Sequence, residues 1–352
     1  MIRFKLTALP MVLLAILAAC QGGGAGGEGA SAPEVPAINV AHMDTSVDPG
    51  DDFFMYVNGN WVKNTEIPDD QVRWGSFNEL SDNTQETLLD VLNNATNLPA
   101  ASDEQKAIDF YQSGMDSMAI EEAGLAPLQP VLDQIAGIQT KKDLQLALQE
   151  MHQYSSLGLF SFYVRADLKN SKINAAYFSQ SGLGLPDKDY YFREGAKSDS
   201  IRMAYVTLVS YILALSGMVG TADKAQQIMD LETRLAGASM DRAARRNTDT
   251  LYNKYSVAEL GDLVPAMDWD QYFTSLNTTP DTVIVMMPVF FKEMAAALQD
   301  TPVSVWKAYL SWHWLRAATR YLPHAYVRES FDFYSKTIRG QKEMRDRWKR
   351  IL

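Results

Sequence analysis

A mainly helical fold carrying one small β-hairpin is what this sequence predicts, on three observations. From Asp48 onward, apolar residues recur at three- and four-residue spacing over most of the chain. Regular alternation of side-chain character is confined to one stretch, around residues 160–178. With 47% apolar and 21% charged residues, the chain can bury a sizeable core and lacks the charge excess of a disordered one.

The elements follow in order. Asp48-Pro49-Gly50-Asp51 has turn chemistry, because proline fixes one backbone angle, glycine tolerates unusual ones and aspartate accepts local hydrogen bonds. Phe53, Phe54, Tyr56 and Trp61 then offer apolar area for packing. Ser102 and Gln105 fit a helix-starting capping box, with Ile108, Tyr111 and Met115 on one face of the helix it opens. After Pro127, Leu128, Val131, Leu132 and Ile135 form a helical stripe, and Leu144, Leu148 and Met151 repeat it. Phe160, Phe162 and Val164 alternate with Ser161 and Tyr163, and the polar break at residues 169–172 leads to Ile173–Phe178, which reads as a hairpin. A second extended piece covers Val283–Met286 and is cut by Pro288; helices resume around Lys292–Leu298 and Val305–Tyr321. The uncharged Met203–Ala222 is long enough to span a bilayer, but Thr207, Ser210, Ser216, Gly217, Gly220 and Thr221 dilute it, so a buried helix is the preferred reading and a membrane span the rival.

Length and charge bound the function. A chain of 352 residues exceeds what one core usually organises, which leaves two lobes or one large helical domain. A net charge of −11 argues against nucleic acid, since the longest basic cluster, Arg345–Arg350, is interrupted by Asp346 and Trp348.

The N-terminus reads as an address. Arg3 and Lys5 precede an apolar run from Leu6 to Ala19, the charge and length of a secretory signal. Leu17-Ala18-Ala19-Cys20 resembles a bacterial lipobox, which implies cleavage after Ala19 and a lipid on Cys20; an ordinary signal with an incidental cysteine is the alternative. Cys20 is the sole cysteine, so no intramolecular disulfide can form. Loss of residues 1–19 removes Arg3 and Lys5 and takes the charge from −11 to −13. Gln21 after the cysteine, by resemblance to such lipoproteins, implies the outer membrane, facing the periplasm or the surface. The Gly- and Pro-rich stretch that follows is a flexible tether. The expected layout is a lipoprotein signal at 1–19, lipidated Cys20 and tether at 20–40, and one domain at 41–352.

Catalytic motifs are sparse. A zinc endopeptidase of the helical type needs two histidines four apart with a glutamate between them to activate water, plus a further carboxylate ligand. His42, His152, His313 and His324 contain no such pair. No Gly-x-Ser-x-Gly elbow occurs. Gly182 and Gly184 are not followed by the Lys-Ser or Lys-Thr of a phosphate loop, and a turn explains them better. His313 lies among Trp306, Tyr309, Trp312 and Trp314, read as one partly buried helix face.

Four ordered blocks carry a resemblance. Residues 47–61 with Ile67-Pro68 and Arg73-Trp74-Gly75-Ser76-Phe77 form the first, and Gln180–Tyr191 the second. Leu231-Glu232, Leu235-Ala236, Arg246 and Tyr252-Asn253 form the third, and Arg347-Trp348-Lys349-Arg350 the fourth. Together they resemble the N-terminal region of the neprilysin, endothelin-converting enzyme and bacterial oligopeptidase O family of zinc endopeptidases. The resemblance implies the N-terminal half of a two-lobed gluzincin-type metallopeptidase acting on peptides, with zinc held by a C-terminal catalytic domain beyond Leu352. It implies no catalytic residue and no metal ligand in this chain, which alone is expected to be inactive. It also implies that Arg73 contacts a peptide's C-terminal carboxylate, for which a guanidinium fork is suited; a structural or solvated ion-pairing role is the alternative. Asn78 stands where neprilysin carries an acid, which alters the neighbouring subsite. Gly50 and Asn58 stand where vertebrate members place cysteines. A non-catalytic peptide- or partner-binding envelope lipoprotein is the competing reading. If the anchor reading holds, Cys20→Ser shifts the protein from the membrane to the soluble fraction on cell fractionation; full retention by the membrane contradicts it.

Overall fold

A computed structural model describes residues 38–154 and 158–352. The signal, Cys20 and most of the expected tether lie outside the described residues. The chain divides into a compact unit ending at Glu66 and a second running from Ile67 to Leu352.

In the first unit, helix α1 (Phe53–Asn64) is opened by Asp52, whose side chain accepts from the Met55 amide. Before it, the expected turn forms, with the Asp51 amide donating to the Asp48 carbonyl and the Gly50 amide to the Asp48 side chain. Buried Asp44 accepts from Ser46 and Lys63, and those hydrogen bonds, Lys63 first, hold its carboxyl down to about 2. Contrary to the packing expected of the aromatic run, Phe53 and Phe54 are exposed in this unit, while Tyr56 and Trp61 are half-buried.

The second unit begins with α2 (Ser76–Asn94), α3 (Asp103–Met115), α4 (Ser117–Ala123), α5 (Gln129–Gly137) and α6 (Lys141–Tyr154). The expected stripes of α5 and α6 point inward: Ile135, Leu144, Leu148 and Met151 are buried. Only half of the box at α3 forms, because Ser102 accepts from the Gln105 amide while the Gln105 side chain turns to Asp109.

Strands β1 (Phe160–Ala166) and β2 (Asn174–Gln180) form the hairpin, in register Phe162 to Phe178. It belongs to a larger sheet than the sequence suggests. β4 (Thr282–Val285) pairs parallel with β2, and β3 (Lys254–Ser256) antiparallel with β4, giving the order β1-β2-β4-β3. Between β2 and β3 lie α7 (Asp189–Phe192), α8 (Ala196–Leu215) and α9 (Thr221–Ala238); α10 (Val257–Leu263) and α11 (Trp269–Ser275) connect β3 to β4. One sheet face is aromatic: Phe178 meets Trp269 at 5.3 Å between ring centroids and Phe291 at 6.0 Å. Such ring pairs add to their area burial.

The uncharged run at 203–222 is not one helix. α8 ends at Leu215, Gly217 and Gly220 adopt positive φ, and α9 begins at Thr221. No helix of the described residues is long and apolar enough to cross a membrane.

After β4 come α12 (Pro288–Asp300), α13 (Val303–Ala318), α14 (His324–Ser330), a π-helical turn at Phe331–Thr337 and α15 (Arg347–Ile351). Pro288 ends the extended segment by starting a helix: at the first helical position its missing N–H costs nothing. α13 is buried around most of its circumference, including Val305, Trp306, Tyr309, Leu310, Trp312, His313 and Leu315. The expected partly buried face is therefore corrected; a helix apolar nearly all round is a central one.

The Gly182–Leu185 segment lies against this centre. A Cβ on Gly184 would fall 1.7 Å from the Tyr205 hydroxyl, and Gly182 holds φ at +80°. Gly184→Ala should therefore lower stability by about 2–3 kcal/mol, as overpacking does. Urea unfolding of the variant beside the parent checks this; an unchanged midpoint contradicts the close packing.

Candidate functional site

Arg73 sits on the turn that enters α2. The Gln71 amide donates to the Pro68 carbonyl at 2.8 Å, and the carbonyl of Gly75, the residue before the helix, accepts from the Asn78 and Glu79 amides. Arg73 is exposed and forms no hydrogen bond or ion pair with the described residues. Asn78 is half-buried in the first turn of α2. The structure thus places both predicted residues on one short segment. Arg73 is not spent on an internal ion pair.

One face of α2 packs and another does not. Asp82, Gln85, Leu89 and Leu92 are half-buried, whereas Phe77, Leu80, Leu88 and Val91 form a helical stripe left to solvent, Phe77 at 87% exposure and Val91 at 59%. Large contiguous apolar exposure marks contact surfaces.

What fixes this segment is the basic element at residues 342–349. Asp69 accepts two backbone amides, from Lys342 and Glu343, and the Lys342 ammonium. Arg345 reaches Asp82 at 2.7 Å and Asp70 at 3.5 Å. Lys349 reaches Asp82 at 3.0 Å, and Gln85 donates to the Lys349 carbonyl. The half-buried Arg345 and Lys349 pairs share Asp82 in a network, which suits them to setting geometry more than an isolated surface pair would be. Sequence reading missed them, since the partners lie some 260 positions apart.

The other polar concentration is buried. The Glu232 carboxylate on α9, with no exposed surface, accepts from the Gly184 amide (3.1 Å), Tyr191 (2.7 Å), Tyr205 (2.8 Å) and His313 Nε2 (2.9 Å). Trp312 donates to the Tyr205 hydroxyl. Arg316 Nη2 approaches His313 Nδ1 at 3.4 Å, and Tyr334 donates to the Gly184 carbonyl. Burial, then the Glu232 charge, push Tyr191 and Tyr205 well above the usual phenol range, so both stay donors. Burial, and also the Arg316 charge, push His313 down, opposed by Glu232. A neutral His313 then donates from Nε2 and accepts at Nδ1. The carboxylate, the two phenols and the imidazole are each occupied in holding a neighbour, and the fit is to architecture.

His152 is likewise internal. Its Nε2 lies 2.7 Å from the Phe160 carbonyl and its Nδ1 2.8 Å from the Tyr272 hydroxyl. His42 and His324 lie elsewhere, and no group of three or more His, Cys, Asp or Glu among the described residues is arranged to hold a metal. The residues present do not fit a zinc site.

A helical lobe on a small mixed sheet, with its polar centre given over to structure, is a fold shared with solved zinc metalloproteases. The zinc metalloprotease Zmp1 of Mycobacterium tuberculosis, solved with an inhibitor, superposes with a TM-score of 0.84 at 32% identity, over 89% of this chain and 49% of that one. PepO of Lactobacillus rhamnosis shares the fold, with a TM-score of 0.77 at 20% identity, over 87% of this chain and 49% of that one. The N-terminal model of peptidase family M13 matches residues 49–352, and the chain belongs to that family of zinc endopeptidases. Endothelin-converting enzyme 1 of Homo sapiens is 29% identical over 327 residues, 88% of this chain and 42% of the relative. The chain spans less than half the length of these relatives.

Burial pushes His152 down to about 4, from 6.5 in an open chain. Between those values the unfolded chain binds a proton that the folded chain refuses, so stability present above pH 6.5 is lost as pH falls toward 4. The whole window is worth roughly 3 kcal/mol. Urea midpoints measured at neutral pH and near pH about 4.5 should differ less in His152→Gln than in the parent; equal pH dependence contradicts the assignment.

Proposed function

We propose that this chain forms the non-catalytic wall of the peptide chamber in a lipid-anchored M13 zinc endopeptidase. The observation that carries the reading is the unpartnered Arg73 beside the solvent-facing stripe of Phe77, Leu80, Leu88 and Val91. A free guanidinium next to apolar side chains suits a peptide's terminal carboxylate and its last hydrophobic residues, since the fork can bind the carboxylate bidentately. Asn78, one turn into α2, supplies an uncharged amide where an acid would repel that carboxylate.

In this reading zinc and the water-activating base belong to the part of the relatives' length that this chain does not match. Residues 1–19 act as a lipoprotein signal, Cys20 carries the lipid, residues 20–40 are the tether and residues 41–352 the domain. That arrangement holds the chamber at the outer membrane of a bacterial envelope.

Arg73→Gln, made in the protein expressed from its whole reading frame, should lower kcat/KM for peptides with a free C-terminal carboxylate by about tenfold, as loss of a charged hydrogen bond does. Cleavage of the C-terminally amidated peptide should change little. Equal losses on both peptides contradict the role given to Arg73.

A further inference from the structure

One face of α13 breaks its apolar character. Ser304, Lys307 and Ser311 recur there at three- and four-residue spacing, while Trp306, Tyr309, Leu310 and Trp312 on the other sides are buried in the core. That face lines a cavity of about 350 Å³, walled otherwise by Leu132, Ile135 and Ala136 of α5 and by Met218 of the turn between α8 and α9. Every lining residue lies between positions 129 and 311.

The walls are fixed. Gly217, at a φ of +81°, donates its amide to the Ala214 carbonyl at 2.9 Å and Met218 donates to Leu213 at 3.2 Å, so α8 ends in a Schellman motif that holds Met218 in place. Lys224 of α9 donates to the Val219 carbonyl at 2.7 Å and ties that turn to the helix after it. On the facing wall, Ile135 is buried.

Two polar groups of this lining are unspent. Ser311 is only 3% exposed, yet its hydroxyl makes no hydrogen bond with the described residues. A hydroxyl kept from water without a partner costs free energy, which a ligand oxygen recovers. Lys307, one turn earlier and half-buried, enters no hydrogen bond or ion pair with the described residues. It stands near the positive end of α13, whose first turn carries no acid and whose start has no side-chain cap, so an anion there offsets both charges. Asp133 is the one acid of the lining; it is exposed, accepts from Gln129, and against Lys224 and Lys307 leaves the cavity with one net positive charge.

We propose that this cavity binds a small monocarboxylate with an apolar body, its carboxylate at Lys307 and Ser311 and its hydrocarbon against Leu132, Ile135 and Met218. A monoanion matches the single excess charge, and one ammonium with one hydroxyl suits the two oxygens of a carboxylate. The volume falls at the small end of the range for ligand sites. The site is independent of the Arg73 reading and requires no zinc.

The test is titration calorimetry with 4-methylpentanoate and with its uncharged isostere 4-methylpentanamide, on the protein expressed from its whole reading frame, chloride holding the ionic strength constant. Saturable binding of one equivalent of the acid is expected, with the amide at least about tenfold weaker, as loss of a charge-assisted hydrogen bond predicts. Lys307→Gln should weaken the acid by about tenfold and leave the amide within about twofold. Ser311→Ala should weaken the acid by about fivefold and, because the hydroxyl has no partner in the free protein, should not lower the urea midpoint. A lowered midpoint means that the hydroxyl is used internally and overturns its place in the site. Lys172→Gln, an exposed lysine on the hairpin turn, should leave binding within about twofold, since an exposed charge outside the cavity is screened. An amide that binds as tightly as the acid, an equal loss in Lys172→Gln and Lys307→Gln, or no saturable binding of the acid overturns the site.

Discussion

The carboxylate of Glu232 is the constraint on which the larger unit depends. Burying a charge is costly unless hydrogen bonds replace its water, and here a backbone amide, two phenols and an imidazole do so. Those donors come from the Gly182–Leu185 segment, α7, α8 and α13, so one side chain on α9 sets the positions of four other parts of the chain. The same set of residue types, a glutamate hydrogen-bonded to a histidine beside tyrosines and an arginine, would suggest acid–base chemistry if met in an open cleft. Here the carboxylate is fully buried and its donors are all turned to it, so it specifies packing.

The surface proposed to contact peptide is fixed by a second polar device of different character. Asp69, Asp70 and Asp82 bind the turn before α2, and α2 itself, to the basic element near the C-terminus. This clamp leaves Arg73 and the Phe77 stripe pointing to solvent on a supported helix.

Local features were legible in the sequence wherever the causes are local. Hairpin alternation, the Asp48 turn and the stripes of α5 and α6 are decided by neighbours within a few residues. The role of Pro288 was half legible: it ends the extended segment, but it does so by opening a helix. β3 and the joining of β4 to β2 depend on partners far along the chain, and nothing in their short runs announces them. Arg73 was placed by resemblance, and the structure adds that its charge is unspent. The Glu232 centre was missed although a signal was present. Ala225, Ile228, Glu232 and Leu235 fall on one helical face, and a carboxylate within an apolar stripe must find buried donors.

The most direct measurement is the urea unfolding free energy of Glu232→Gln in the full chain. This change keeps the shape and removes the charge, leaving one carbonyl oxygen to accept while the new amide nitrogen faces buried donors. If the carboxylate is the structural centre, stability falls by about 3–5 kcal/mol, as when one partner of a buried charged network is removed. A midpoint indistinguishable from the parent's would contradict it, and would make Glu232 a group retained for something other than the fold.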